Sequence, residues 1–547
     1  MSTTATQSAP AASAAPSSPG ATGTALVLGA GPVGQTAALL LAKWGIPVVM
    51  LDARPERDPI GSKALCQQRD VLDVWDHVGA GRAIADEGVT WTRAVTLYQG
   101  RELYTQGFVD RGRSPFPPFV NIGQNRTEEI LDEHIRANPL ITEQWGHTVE
   151  AIEQDDTSIT LVCRLTDGSL TRVTGDYCIA APGNKGHFVR DMVGMSFEGE
   201  TFEDQFLICD IRTTLPGWEF ERRFYFDPEW NPGRQVLIHP CPDSTYRIDW
   251  QVPPNYDLAA EEASGELEAR IRKIVGAADY EIVWKSVYRF HARQVDQMVA
   301  GRLLMAGDGA HLVAPFGARG LNSGVPDAEN AAWKVAFVMK GWADPSLIAT
   351  YHDERHAAAA ENLDVTAETM RFLVPQSDAE KAQRHEILEA AADDPAARAK
   401  VNSGRMAEPY WYVDSPLTTP SPSHVFPGRP PKGEDPVPAP GVIAPDLPVR
   451  MPSGELARIR SLARHGLLVL VGADLSVADV TAVLAGLRCP TTVLSLAEAD
   501  PDGSVAAALG ASPSEAWVFR PDAHIAGVAT TVNGVRDTAY RAICLLP

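Results

Sequence analysis

Apolar residues arrive first in short unbroken runs. "TALVLGAGPVGQTAALLLAKWGIPVVMLD", from Thr24, reads as a strand, a glycine turn, a helix with an almost continuously apolar middle, and a second strand. Together they form a βαβ unit. Gly45 stands where a helix-ending glycine belongs, and Pro47 blocks continuation. Further on, "RRFYFDP", "RQVLIHPCP" and "TYRIDWQV" are strand-like runs divided by turn residues, and they predict an antiparallel sheet. After the glycine-rich "LLMAGDGAHLVAPFGARGLNSG" (303–324), helical spacing returns in "DAENAAWKVAFVMKG" and "SLIATYHDERHAAAAENLDVTAETMRFL" and carries helices to about residue 415. "SPLTTPSPSHVFPGRPPKGEDPVPAPG" is too rich in proline for helix or sheet and predicts an extended linker. The tail alternates "GLLVLVGA", "VADVTAVLAGL", "TTVLSL" and "EAWVFRP", a small α/β pattern.

A chain of 547 residues is too long for one core. The expected division is a disordered lead over 1–23, a nucleotide-binding body over 24–375 with a sheet inserted at about 190–285, a helical extension over 376–418, the linker over 419–442, and the tail over 443–547. The lead has neither a basic start nor an apolar run, so it does not read as a signal peptide. No stretch is long enough to span a bilayer, and a cytoplasmic protein is the expectation. The net charge of -22 argues against nucleic acid or an anionic membrane as partner. Seven cysteines without a CxxC pair suggest reduced structural thiols.

Gly29, Gly31 and Gly34 form GxGxxG between strand and helix, and Asp52 ends the next strand. This is the context of a dinucleotide site: Gly29 permits the turn, Gly31 lets backbone approach a pyrophosphate, and Gly34 lets helix pack on strand. The helix N-terminus faces the phosphates, and Asp52 can accept from the adenosine ribose hydroxyls. The motif alone does not separate NAD from FAD.

The second glycine run decides. Gly307-Asp308 after the apolar "RLLMA", then Pro315, then Gly320-Leu321-Asn322 opening a helix, resembles the Gly-Asp motif of the para-hydroxybenzoate-hydroxylase-fold flavin monooxygenases, the single-component (group A) aromatic hydroxylases. FAD is long enough to need capture at both ends. The resemblance implies that Asp308 takes a ribityl hydroxyl and that the backbone from Gly320 through Leu321 and Asn322 meets the flavin's pyrimidine edge. "GSKALCQQRDVLDVWDHVG" and "NIGQNRTEEIL" extend it, with Lys63 near the flavin, Gln124 as a flavin contact, and Arg54 in the cofactor-binding set. "FYFDPEWNPGRQVLIHP" and "TYRIDWQ" are similar to the branch containing 3-(3-hydroxyphenyl)propionate hydroxylases, which also carries a proline linker and a thioredoxin-like tail.

The implied fold is α/β: a Rossmann-like FAD-binding domain interleaved with an antiparallel-sheet substrate domain, plus a C-terminal thioredoxin-like domain, here without CxxC and therefore structural or part of a homodimer contact. The implied function is hydroxylation of a phenolic or related aromatic with NADPH or NADH and O2, through a flavin C4a-hydroperoxide. The same scaffold also admits a Baeyer–Villiger-type oxygenation. The family's Asp-Gly motif reads here as "AAPGNKGHFVR", with Pro182 for the carboxylate and Gly186 for the serine. That change admits a third reading, an FAD-loaded binding protein with weak turnover. His239 and Arg247, on adjacent strands, with Tyr225 behind them, are the candidates to face the phenol, and Pro315 offers the oxygen side no N–H. His352 and His356 in "YHDERH" have the spacing of a zinc helix, but Asp353 follows the first and no third ligand is evident, so no metal is expected.

Overall fold

A computed structural model describes residues 23–58, 64–107, 114–431 and 434–545. At its centre the strand Ala25–Leu28 runs parallel to Val48–Leu51 on one side and to Tyr177–Ala180 on the other, with Ile141–Gln144 and Leu303–Met305 beyond them. "ALVL", "YCIA" and "LLM" are buried at every position, as strands covered on both faces must be. The helix Pro32–Lys43 starts on a proline and buries ten of its twelve residues, so the unbroken apolar run is a core helix rather than an amphipathic one. It packs against the 21-residue helix Arg319–Met339, and both join one core with the three antiparallel strands Thr148–Gln154, Ile159–Arg164 and Leu170–Gly175.

The second sheet has eight strands, in the order His311–Leu312, Tyr280–Val295, Phe197–Thr213, Thr245–Val252, Gln235–Cys241, Glu221–Phe226, Arg93–Tyr98, Arg101–Gly107. It is larger than the insert expected at 190–285. The hairpin Arg93–Gly107 joins from earlier in the chain and lies parallel to Glu221–Phe226, the one parallel pairing in that sheet. Strict alternation divides its faces. Leu207, Cys209, Ile211, Val236, Ile238, Ile248 and Trp250 pack one face against the helix Glu266–Val275, whereas Phe206, Phe224, Phe226, Leu237 and Phe290 form the other.

Helices end earlier than the sequence suggested. Asp378–Ala390 is closed by a Ser377/Glu380 capping box, Pro395–Arg398 adds one turn, and 399–447 has neither helix nor strand. This proline-rich stretch is nevertheless packed rather than a free spacer. Trp411, Ala439, Val442 and Ile443 form a small core, and Thr419 and Gly441 donate to the backbone of Ala526 and Ile525. The C-terminal unit is a four-stranded sheet ordered Thr491–Ser495, Leu467–Val471, Ala516–Phe519, Ile525–Ala529, parallel across the first pair and antiparallel across the others.

Buried ions fasten this unit to the body. Glu354 of the helix Ala349–Leu373 accepts from Arg520 at 2.5 and 2.9 Å and from Lys334 at 2.7 Å, and Arg520 also reaches Asp522 at 2.6 Å. Arg464 spans Asp73 and Glu329, each at 2.6 Å. All seven cysteines are free thiols, and no helix of the described residues is long and apolar enough to cross a membrane. Removing one member of a buried charge cluster leaves its partners uncompensated, at a cost of about 3–5 kcal/mol. Glu354→Ala is therefore expected to lose about that much in urea unfolding; a loss below about 1 kcal/mol would show the cluster to be solvated.

Candidate functional site

The first glycine turn divides its residues by what demands them. Gly29 has φ +101° and a Cβ there would lie 2.2 Å from Ala181 O; a Cβ on Gly34 would lie 1.8 Å from Gly29 O. Those two glycines are required by the protein's own backbone. A Cβ on Gly31 would meet no atom within 4 Å, so the protein itself leaves that side open. Open space beside the uncapped N-terminus of Pro32–Lys43 fits a pyrophosphate, which would take the free N–H groups and the positive dipole end.

Asp52 is not the free acceptor the sequence suggested. Its Oδ2 accepts from Ala30 N at 2.8 Å and Arg54 Nη2 at 2.9 Å, and its Oδ1 from Arg54 N at 2.9 Å and Nε at 3.0 Å. Burial alone would raise its pKa, but these bonds outweigh that and hold it below the usual carboxylate value. Ribose hydroxyls would therefore compete with Arg54, whose guanidinium stands 5.5 Å from the Trp145 ring centroid.

The second turn is built against the first. Val33, from the first turn of Pro32–Lys43, lies where Cβ atoms on Gly307 and Gly324 would be, 3.1 and 2.6 Å away. Asp327 holds the turn, accepting from Gly307 N at 3.0 Å, bonding His311 Nε2 at 2.7 Å and accepting from Arg355 Nε at 2.6 Å. Arg190 donates to Gly309 O at 2.8 Å. The Pro182 ring takes the space of a Cβ on Gly309 and on Gly186, at 2.8 and 2.7 Å. Pro182 and the glycines at 186 and 309 thus fit together as one packing solution. Gly320, like Gly31, is open on its Cβ side, at the N-terminus of Arg319–Met339. Asp308 sits half-buried in the turn, and Pro315 is exposed at its edge.

Two side chains expected at the cofactor are committed elsewhere. Asn322 accepts from Gln68 N at 2.9 Å and donates to Cys66 O at 2.8 Å and Ala318 O at 2.6 Å, so it ties the strand Cys66–Gln68 to the helix start and leaves only backbone for a ligand. Leu321 beside it is partly buried against the main core. Gln124 accepts from Ala64 N at 3.0 Å and donates to Glu128 at 2.8 Å. Lys63 lies outside the described residues.

Beyond these turns the aromatic face of the large sheet forms a wall. Phe206 stacks on Phe290 at 4.4 Å and Phe224 on Phe226 at 4.6 Å, and Phe316, next to Pro315, meets Phe206 edge-on at 5.5 Å. A polar row continues the same face: His239 pairs across to Arg247, and Arg247 to Asp210. Arg247 is neutralised by Asp210 at 2.8 and 2.9 Å. Tyr225 is a correction: period-two alternation puts it on the opposite face, 5.7 Å from Trp230, where it cannot stand behind His239.

Asp249 and Arg222 were missed. Asp249 Oδ2 lies 3.8 Å from His239 Nε2, while Asp249 Oδ1 and His239 Nδ1 are buried without a partner. Burial, with help from Asp210 and against Arg247 and Arg222, pushes Asp249 up to about 7; burial, then Arg222 and Arg247, drives His239 well below its ordinary value. Asp249 thus holds its proton more tightly folded than unfolded, so it lowers stability as pH rises from about 4 to about 7. Alternation in "YRIDWQ" and "ERRFYF" sets Asp249 beside Arg247 and Arg222 beside Phe224, a signal that was available in the sequence. His352 and His356 bond to the backbone of Met298 and Val295, and no cluster of three metal-ligating side chains occurs among the described residues.

The family model described as "FAD binding domain" matches residues 22–366. The chain belongs to this FAD-binding family. Among curated relatives it is 28% identical over 353 residues to pentachlorophenol 4-monooxygenase of Sphingobium chlorophenolicum, covering 62% of this chain and 63% of the relative. It is 29% identical over 369 residues to the 3-(3-hydroxy-phenyl)propionate/3-hydroxycinnamic acid hydroxylase of Paraburkholderia xenovorans strain LB400, covering 64% and 57%. The match thus spans about six-tenths of these relatives' length. The structure of the flavin-dependent monooxygenase PieE with FAD and substrate superposes with a TM-score of 0.83 at 21% identity, covering 96% of this chain and 99% of that one, a likeness of fold. The group A flavin-hydroxylase resemblance read from the two glycine runs is borne out, and the openings at Gly31 and Gly320 fit FAD.

Gly31→Ala is accordingly expected to leave the melting temperature of the FAD-free protein unchanged while weakening FAD binding tenfold or more, whereas Gly34→Ala, aimed at a carbonyl, should not yield folded protein. Calorimetry and FAD titration read both. Equal damage from the two substitutions would remove the ligand from the explanation of Gly31.

Proposed function

We propose that this protein is an FAD-dependent monooxygenase that uses NADPH or NADH and O2 to oxygenate a phenolic or related aromatic substrate. The observation that carries this is the aromatic-walled, polar-ended face of the large sheet beside a flavin-type glycine turn. Backbone at Gly31 and the N-terminus of Pro32–Lys43 would hold the pyrophosphate, Asp308 the ribityl chain, and backbone at Gly320 and Leu321 the ring edge. Bound FAD, reduced by the nicotinamide and reoxidised by O2, supplies the oxygen-transfer chemistry.

The chain's own residues do the rest. Phe206, Phe224, Phe290 and Phe316 orient an aromatic ring and exclude water. Asp249, with a pKa near neutrality, accepts the ring hydroxyl's proton at its unpartnered Oδ1, and a deprotonated ring is the better nucleophile toward electrophilic oxygen. His239, held neutral, stands beside it, and Arg247 is fixed by Asp210. Pro315 presents no N–H to the oxygen side.

The C-terminal unit is read as thioredoxin-like. A parallel β-α-β pair followed by an antiparallel hairpin and the helix Val532–Ala542 supports this, and with no CxxC in it we read the unit as structural or as part of a homodimer contact.

NAD(P)H and O2 consumption by the FAD-loaded protein should rise when a phenol such as para-nitrophenol is added, with an oxygenated product formed. Turnover should fall as pH drops through about 7, where Asp249 gains its proton, and Asp249→Asn should abolish that limb with a loss of 10²-fold or more. Consumption that returns only hydrogen peroxide with every phenol would contradict the proposal.

A further inference from the structure

A polar stripe runs along the buried side of the helix Arg319–Met339. Ser323, Asp327, Asn330 and Lys334 follow one another at spacings of four, three and four, the seam at which a helix ordinarily presents apolar residues to a core, and each is at most 4% exposed. At about 1.5 Å per residue the stripe is about 16 Å long. Its first half holds the Gly307 turn. Asp327 accepts from Gly307 N and from Arg355 Nε, and Arg355 Nη2 returns to the helix start by donating to Ser323 O at 3.1 Å. The second half holds the C-terminal unit. Lys334 and Asn330 donate to Glu354 at 2.7 and 2.8 Å, Arg520 covers the same carboxylate, and Asp522 accepts from Asn330 at 3.4 Å and from Trp333 Nε1 at 3.3 Å.

Tyr412 joins the two halves. Its hydroxyl oxygen accepts from Arg355 Nη1 at 3.0 Å and from Asn330 Nδ2 at 3.3 Å. The ring centroid lies 4.4 Å from that of His524, and the backbone is pinned by its N–H on Gly441 O and by Thr418 Oγ1 on its carbonyl. Along the row three carboxylates, Asp327, Glu354 and Asp522, meet three cations, Arg355, Lys334 and Arg520, all buried. Charge balance lets them stay dry, and it also makes each position depend on the next. Without Arg520 or Asp522 the row must re-pair around Glu354. An Asn330 drawn away in that re-pairing releases Tyr412, and Arg355 then loses its Nη1 partner while still carrying Asp327 and, through it, the Gly307 turn. Coupling between distant sites is carried by packed, hydrogen-bonded rows of this kind.

We propose that Tyr412 and Arg355 are positioning residues through which the C-terminal unit holds the Gly307 turn in its FAD-receiving form. The unit thereby acts on the cofactor by fixing backbone, with no redox group of its own. This rests on the FAD seat proposed above, with Asp308 at the ribityl chain.

FAD titration of the full-length chain, with melting of the FAD-free protein on the same samples, tests it. Tyr412→Phe keeps the ring and removes the shared hydroxyl, and it is expected to weaken FAD binding by about fivefold or more. Asp522→Asn, in the C-terminal unit itself, is expected to do the same. The two act in series, so the double variant should bind within about twofold of the weaker single, whereas independent losses would multiply. Val505→Ala, in the core of the C-terminal unit and with no bond to the row, should lower the melting temperature at least as far as Tyr412→Phe does and leave FAD affinity within about twofold. Visible circular dichroism of the flavin at saturating FAD should change in Tyr412→Phe and match the parent in Val505→Ala. Unchanged affinity in Tyr412→Phe, multiplied losses in the double variant, or an equal loss in Val505→Ala overturns the proposal. If Asp522→Asn does not fold, the comparison of Tyr412→Phe with Val505→Ala decides alone. Asp308→Ala separates the proposal from the seat beneath it. Weakened FAD binding in Asp308→Ala but not in Tyr412→Phe sinks the positioning role alone, and FAD binding untouched by either sinks the seat.

Discussion

The close approach of two helix starts around Val33 constrains everything else in the body. Val33 rises from the first turn of Pro32–Lys43 into the space left by two absent side chains, those of Gly307 and Gly324. Any Cβ on Gly324 would overlap it and push the helix Arg319–Met339 outward. Both helices therefore begin near one another, each without a side-chain cap and each with a glycine, Gly31 or Gly320, whose Cβ side is open. A dinucleotide with a charged pyrophosphate and an electron-accepting ring suits such a pair of openings.

The large sheet is then positioned by consequence. Asn322, one turn into Arg319–Met339, grips the strand Cys66–Gln68, and that strand's partner Phe119–Asn121 is bonded to Pro240 in the sheet. Phe316, leaving the same glycine turn, wedges against Phe206 and Phe290. Cofactor turn and aromatic wall are thus one packed unit, and the polar groups on that wall share a desolvated setting. Burial raises Asp249 and depresses His239 by the same physics, since each is pushed toward its neutral form.

What was legible in the sequence was whatever has a local cause. Gly29, Gly34 and Gly307 need positive φ or a missing Cβ, and such needs leave unambiguous marks. Strand alternation is equally readable: in "ERRFYF" it sets Tyr225 on the face that packs on Trp230 and Arg222 with Phe224 on the other. The remaining misses depend on distant partners. Nothing near Asp52 predicts that Arg54 saturates it, nothing near Asn322 predicts Cys66 and Gln68 as its partners, and no spacing rule brings Arg520 to Glu354. The proline-rich segment has neither helix nor strand, and the partners that pack it, Ala526 and Ile525, lie about a hundred residues later, where no local pattern points to them.

A crystal structure of the FAD-loaded chain tests the central claim most directly. The account predicts the pyrophosphate against Gly31 and the isoalloxazine edge against backbone at Gly320 and Leu321, with Val33 still seated between Gly307 and Gly324. Density for the flavin ring away from the 307–322 turn, or a second nucleotide molecule in place of one FAD spanning both openings, would contradict it.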